Sequence, residues 1–281
     1  KASFVIAYTD IREIKKKSGI KYFYLGDDVT HGLGTGMNPC LAREAAEKER
    51  ERITSLMIGQ DIVILISSLG GGLGSGAAPV FAEISRNFGN VTLGIFTLPF
   101  RFEGGKKTSI GHNSVQELKK YLNAVITIPN EKIFKIISDK TSITEAFSMV
   151  NKNLIESLES LIDLIYSPGL INIDFADVSA ILKGTGMSAF LNTTEASGKN
   201  RAEQIVENIL KNSLINSNIS AEKILYNIAA SDNLSMLEVD QISRSIAELN
   251  PKAKIIFGIS KNSKLKNKIK TTILLTGPSY E

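Results

Sequence analysis

Apolar positions in the first half of the chain fall into short unbroken runs, separated by stretches in which they recur at helical spacing. Residues 4–8, 22–25, 62–66, 91–97 and 124–128 read as strands, and residues 41–57, 77–88 and 110–122 as helices. The run Ile62, Val63, Ile64, Leu65, Ile66 has no polar alternation, which predicts a parallel strand covered on both faces. A repeating order of strand, loop and helix predicts an α/β fold of the Rossmann-like, doubly wound kind, with the loops that follow the strands gathered on one rim. Residues 143–166 then carry Ala146, Phe147, Val150, Leu154, Leu158, Leu161, Ile162 and Ile165 at helical spacing, and Ser167, Pro168 and Gly169 stop that long helix. Past it, helices are expected at 178–183, 201–211 and 236–249, and strands at 188–194, 224–229, 254–259 and 271–275. Two closely spaced strands at the end predict a smaller α+β domain with a mixed sheet. The organisation expected is therefore a first domain over 1–142, a central helix over 143–166, and a second domain over 167–281.

The junction between the strand at 62–66 and the next helix carries the chemistry. Gly70, Gly71, Gly72, Leu73, Gly74, Ser75 and Gly76 put five glycines and one hydroxyl into seven residues. Glycine lets backbone N–H groups approach a ligand closely, and the helix that follows adds unsatisfied N–H groups and the positive end of its dipole. That combination is an anion site suited to a polyphosphate, where a plain turn needs only one or two glycines. The run has no lysine, so it is not a P-loop. A dinucleotide fingerprint (Gly72, Gly74, Ala77) wants a carboxylate at the end of the next strand, and none precedes Glu103.

A second cluster is Asn172, Asp174 and Asp177. Two carboxylates three residues apart share a helix face and can orient a water beside a Mg²⁺-bound phosphate. Asp174 suits equally well the N-cap of a helix starting near Phe175. Both readings stand.

These residues together resemble one family. The run from Gly70 to Gly76, continued by Ala77, Ala78 and Pro79, is similar to the GGGTGTG/GGGTGSG loop of the tubulin/FtsZ superfamily. Pro99-Phe-Arg-Phe-Glu-Gly104, Ile128-Pro-Asn130, the segment from Pro168 to Val178, Ile255-Ile-Phe-Gly258 and Thr276-Gly277 resemble the FtsZ family, bacterial cell-division GTPases, over nearly the whole chain. The resemblance implies GTP or GDP on the rim of the first domain, with Mg²⁺. Gly70, Gly71, Gly72, Leu73, Gly74, Ser75 and Gly76 would hold the α- and β-phosphates, and Thr35, Gly36, Met37 and Asn38 would border the γ-phosphate. Glu103 would reach the ribose, Lys107 would stand near the nucleotide, and Asn130 and Asn151 would meet the base. Asn172, Asp174 and Asp177 would form a catalytic loop that acts on the neighbouring subunit's GTP. Helix geometry points the same way: residues 151–166 rise about 22 Å at about 1.5 Å per residue, which carries the acids away from their own rim. A head-to-tail contact of that kind does not close on itself and builds an open filament. The implied setting is the cytoplasm at the division site, with membrane anchor proteins meeting a tail that this chain lacks.

Departures from the family pattern bear on rate. Leu73 stands where the family has threonine, while Ser75 keeps a hydroxyl; Lys107 stands for arginine, so a planar fork becomes a point charge. The family's first strand and its own glycine-rich loop, expected before Lys1, are absent from this sequence. A weakly hydrolysing nucleotide-binding scaffold is the alternative, and an NAD-dependent dehydrogenase a more distant one. Composition adds exclusions. At 281 residues, 43% hydrophobic and 22% charged, the chain can build a core and is not a disordered protein. A formal charge of +4, with Lys15-Lys-Lys17 and the lysines of residues 261–270 lacking interleaved aromatics, gives no nucleic-acid signature. No apolar run is long enough to span a bilayer, so no direct membrane insertion is expected. Cys40 is the single cysteine and is expected to pack as a small apolar residue; His31 and His112 have no partners for a metal site. Arg201 is expected to be structural, opening a helix.

Overall fold

In the computed structural model, which describes residues 2–12, 14–135, 137–138, 140–166, 169–211 and 220–278, the first apolar run forms β1 (Phe4–Tyr8) and pairs in parallel with β2 (Ile20–Tyr24), Phe4 opposite Ile20. A short helix, α1 (Asp27–Thr30), leads to α2 (Pro39–Lys48) and α3 (Arg50–Met57). One helix was expected over 41–57. It is broken at Glu49, whose N–H turns back to the carbonyl of Ala46. Next come β3 (Ile62–Ser68), α4 (Gly72–Asn87), β4 (Val91–Leu98), α5 (Gly105–Leu118) and β5 (Ala124–Pro129). β4 pairs in parallel with β3 on one side and β5 on the other.

These elements belong to the first of two compact units, Lys1–Lys132 with Gly184–Gly186. Its core joins Phe23 and Leu25 to Ala46, Ile53 and Met57 and to the inner face of α4 at Val80, Phe81 and Ile84. The strand covered on both faces is β4, not β3: Leu93, Ile95 and Phe96 are fully buried, whereas Ile66 is 56% exposed. Among the described residues β3 pairs with β4 alone, and β1–β2 form a sheet of their own.

The second unit is Ile133–Lys183 with Met187–Glu281. It begins with α6 (Ile143–Tyr166), the long helix, with the bounds its apolar spacing predicts; the proposed stop at Ser167 and Pro168 lies outside the described residues. Then follow β6 (Gly169–Ile171), α7 (Phe175–Leu182), β7 (Met187–Ser197), α8 (Arg201–Lys211), β8 (Lys223–Ala230), α9 (Met236–Glu248), β9 (Lys254–Lys261) and β10 (Lys268–Gly277). β10 lies antiparallel between β7 and β8, β8 runs parallel to β9, and β6 closes the edge antiparallel to β9, giving the mixed sheet expected. Alternation divides the sheet's faces. Ile224, Tyr226, Ile228, Ile269 and Ile273 meet α8 and α9; the neighbours of those residues in sequence face the opposite side, where α7 packs. No helix among the described residues is long and apolar enough to cross a membrane.

Arg201 opens α8 as expected and is 5% exposed. Its guanidinium donates to both carboxylate oxygens of Glu238 at 2.6 and 3.0 Å and to the backbone and side-chain oxygens of Asn233. The Arg201 guanidinium, aided by the Ser235 N–H and hydroxyl, holds the Glu238 carboxyl at about 2 against the pull of burial. Arg201→Leu strands that carboxylate and should cost about 3 kcal/mol, read as a lowered denaturation midpoint. Because the folded carboxyl titrates below its unfolded value of about 4.5, the pair's contribution is complete above pH 4.5 and is lost as pH falls toward 2. The difference in stability between Arg201→Leu and the parent should therefore shrink across that window.

Candidate functional site

At the carboxyl end of β3 the chain must turn from strand to helix within three residues. Gly70 takes φ +100°, a conformation open to glycine, and lies against the Lys107 carbonyl and Pro99. Gly71 is the N-cap of α4 in extended backbone, and α4 begins at Gly72, inside the run that was expected to be loop. Ser75 is buried, and its Oγ accepts the Gly70 N–H at 2.9 Å, so this hydroxyl shapes the turn from within. Leu73 packs against the core of Phe23, Phe81 and their neighbours.

The five glycines do different work. A Cβ on Gly72 would come within 2.6 Å of Thr35 Oγ1 and 2.7 Å of the Gly36 carbonyl; on Gly74 it would overlap the Ser68 carbonyl, and on Gly76 the Pro39 carbonyl. Those three let the first turns of α4 seat against β3 and the start of α2. Gly71 alone among the five faces open space. Pro79 removes the N–H that the Ser75 carbonyl would receive within the helix, and Ser114 Oγ of α5 donates to that carbonyl at 3.3 Å in its place. No sequence signal marked Ser114 for that task.

The segments around this turn converge on it. The Gly72 N–H donates to the Gly36 carbonyl at 2.8 Å, tying residues 35–38 to the start of α4. Thr35 is buried, Met37 is exposed, and Asn38 is occupied as the N-cap of α2, its Oδ1 accepting from the N–H groups of Cys40 and Leu41. Cys40 itself is exposed rather than packed, because the first turn of α2 leaves it on the outer side. After β4, a 3₁₀ turn (Arg101–Glu103) precedes α5. Glu103 accepts from the Phe100 N–H at 2.8 Å and from Lys107 Nζ at 2.9 Å, one turn further on. Burial raises the Glu103 carboxyl's pKa, but Lys107 and the Phe100 N–H outweigh it and leave the net shift downward. Asn130 opens a 3₁₀ helix (Asn130–Lys135) after β5, and Glu131 next to it accepts the Arg101 N–H at 2.6 Å. The ends of three parallel strands thus place residues 70–76, 103, 107 and 130 on one rim, with residues 35–38 against it. Asn151 lies on α6 in the second unit and is exposed.

The acidic cluster also belongs to the second unit. Asp174 caps α7, its Oδ1 accepting the Asp177 N–H at 2.8 Å, while Asp177 Oδ2 accepts the Asp174 N–H at 3.1 Å. The capping reading is realised, as a reciprocal box. Asn172 Oδ1 accepts the Gly169 N–H at 2.6 Å, and buried Ile173 seats over Gly258 of β9, so the loop is pinned between edge strand and helix. Asn172 and Asp174 remain exposed. Around them Leu170 (79%), Ile171 and Phe175 are exposed as well. The described residues hold no group of three or more His, Cys, Asp or Glu able to bind a metal.

Residues 1–138 match the model of the Tubulin/FtsZ family, GTPase domain, and residues 186–279 that of the FtsZ family, C-terminal domain. The chain is 35% identical over 277 residues to the cell division protein FtsZ of Coxiella burnetii, covering 98% of this chain and 72% of that protein. It is 34% identical to the protein of the same name from Caulobacter vibrioides, of which it spans only 54%. Among solved structures, an empty FtsZ dimer from M. jannaschii superposes with a TM-score of 0.87 at 33% identity, over 97% of this chain and 80% of that one.

Proposed function

The chain belongs to the FtsZ family of cell-division proteins within the tubulin/FtsZ superfamily, and from that premise we propose that it binds GTP at residues 70–76 and hydrolyses it at a head-to-tail contact between copies. The observation that carries the reading is Gly71. It is the one glycine of the run with open space before it, at the N-cap of a helix whose first N–H, that of Gly72, is taken by the Gly36 carbonyl while those next to it in the first turn have no acceptor four residues back. Phosphate fits that place by charge and by steric access. Glu103 and Lys107 serve the sugar side of the same rim, Thr35, Gly36, Met37 and Asn38 border the terminal phosphate, and Asn130 meets the base. Mg²⁺ would ride mainly on phosphate oxygens and spread the charge that develops on the transferred group.

Asn172, Asp174 and Asp177 act on the neighbour's nucleotide, where the carboxylates orient the attacking water. Support comes from the exposed apolar residues that frame them: Leu170, Ile171 and Phe175 are surface that a contact between copies would cover. The M. jannaschii relative was solved as a dimer. Such a protein works in the cytoplasm at the division site and is held at the membrane by anchor proteins.

Two observations favour a slower relative of this machine. Leu73 is committed to the core and Lys107 to Glu103, so neither offers the terminal phosphate the hydroxyl or the planar fork usual in the family. Phosphate release measured against protein concentration separates the readings. The GTPase should show a threshold concentration, with turnover rising steeply above it. A scaffold would sediment with GTP and release almost none.

A further inference from the structure

The opposite end of α7 from its acids is held in a way the catalytic reading does not use. The last carbonyls of a helix have no partner within it. In α7 the Ser179 carbonyl receives the Lys183 N–H at 2.8 Å. The next ones are taken by side chains from the sheet: Lys223 Nζ donates to the Ala180 carbonyl at 3.1 Å and to the Lys183 carbonyl at 2.6 Å, and Thr276 Oγ1 donates to the Ile181 carbonyl at 2.9 Å. Lys223 on β8 and Thr276 on β10 are directly opposed across the antiparallel ladder, so one cross-strand pair meets three carbonyls of the last turn, those of Ala180, Ile181 and Lys183. Thr276 is fully buried. A cation at a helix C-terminus also complements the dipole.

We propose that Lys223 and Thr276 are positioning residues for hydrolysis: together they fix α7 along its axis and so set where Asp174 and Asp177 are presented to the neighbouring copy. The inference rests on the role assigned to those acids above. Eight residues of helix span about 12 Å, a length over which a shift at one end reaches the other undiminished. The other end is already rigid, through the capping box and through Ile173 on Gly258. The Lys223 seat is not an easy place for a cation. Burial first and Lys254 second lower its pKa, Glu222 opposes them, and Lys183 adds to the lowering. The carbonyls of α7 are what draw the ammonium there.

The test compares Lys223→Met, Lys223→Arg and Thr276→Val with the parent and with Asp177→Asn. Four quantities are read on each: GTP affinity of the dilute protein, threshold concentration for sedimentation, turnover per sedimented subunit at saturating GTP, and amide exchange across residues 175–183. Lys223→Met should leave affinity and KM within twofold, speed exchange in that segment, and lower turnover per sedimented subunit at least about tenfold, as a displaced catalytic group does. Lys223→Arg, which can donate to the same carbonyls, should restore turnover to within about threefold. Thr276→Val, nearly isosteric, should act in the same direction and guards against a misfolded Lys223→Met. Full turnover in both Lys223→Met and Thr276→Val, with Asp177→Asn inactive, overturns the positioning role. Full turnover in Asp177→Asn itself instead overturns the reading of the acids.

Discussion

Asp177→Asn is expected to hold GTP as tightly as the parent while releasing phosphate at least about a hundredfold more slowly, a loss of about 2.7 kcal/mol in transition-state stabilisation. The asparagine oxygen can still accept the Asp174 N–H, so the capping box and the helix behind it survive. This variant is cleaner than Asp174→Ala, which would also remove the N-cap and cost about 1 kcal/mol of helix stability. Binding is measured on dilute protein below the assembly threshold, and turnover above it. A matching fall in dilute binding affinity would place Asp177 beside its own chain's nucleotide and end the proposal of action across a contact.

Two alanine substitutions three residues apart should fail in opposite ways. Gly74→Ala drives a methyl group into the Ser68 carbonyl and Ser67 Oγ at the end of β3, where backbone cannot give way. It should cost about 3 kcal/mol, or roughly 6–12 °C in Tm at this length, with or without nucleotide. Gly71→Ala meets nothing within 4 Å, and its φ of −94° suits any residue. An N-cap side chain projects over the second and third N–H groups of its helix. The new methyl therefore sits where phosphate would approach, and GTP affinity should fall at least about tenfold while Tm moves by about 1 °C. Thermal denaturation and nucleotide titration of the two proteins check both arms. A Gly71→Ala protein with unaltered affinity would remove the phosphate from this turn.

The contrast between those glycines marks how far the sequence could be read. Five glycines at a strand-to-helix junction located the turn, and the mixed sheet and the bounds of α6 and α8 followed from periodicity. What each glycine does was not legible, because it depends on what lies across from it: Thr35 and the Gly36 carbonyl for Gly72, the Ser68 carbonyl for Gly74, the Pro39 carbonyl for Gly76. Those neighbours arrive from up to forty residues away in sequence. The same limit hid the task of Ser114, which exists only because Pro79 frees a carbonyl on the helix beside it. The break at Glu49 was invisible for another reason, since neither glycine nor proline marks it. At Asp174 and Asp177 the residues supported two chemistries at once. Capping is now seen, and it leaves the carboxylates on the surface, where the second role is still open to them.

The exposed position of Cys40 has a consequence for how this molecule behaves in company. It is the single thiol of the sequence, so an oxidising buffer can join copies only in pairs. Pairs made that way are indifferent to guanine nucleotide and come apart when a reductant is added. Sedimentation measured in reductant, with and without GTP, therefore separates covalent pairing from nucleotide-dependent association.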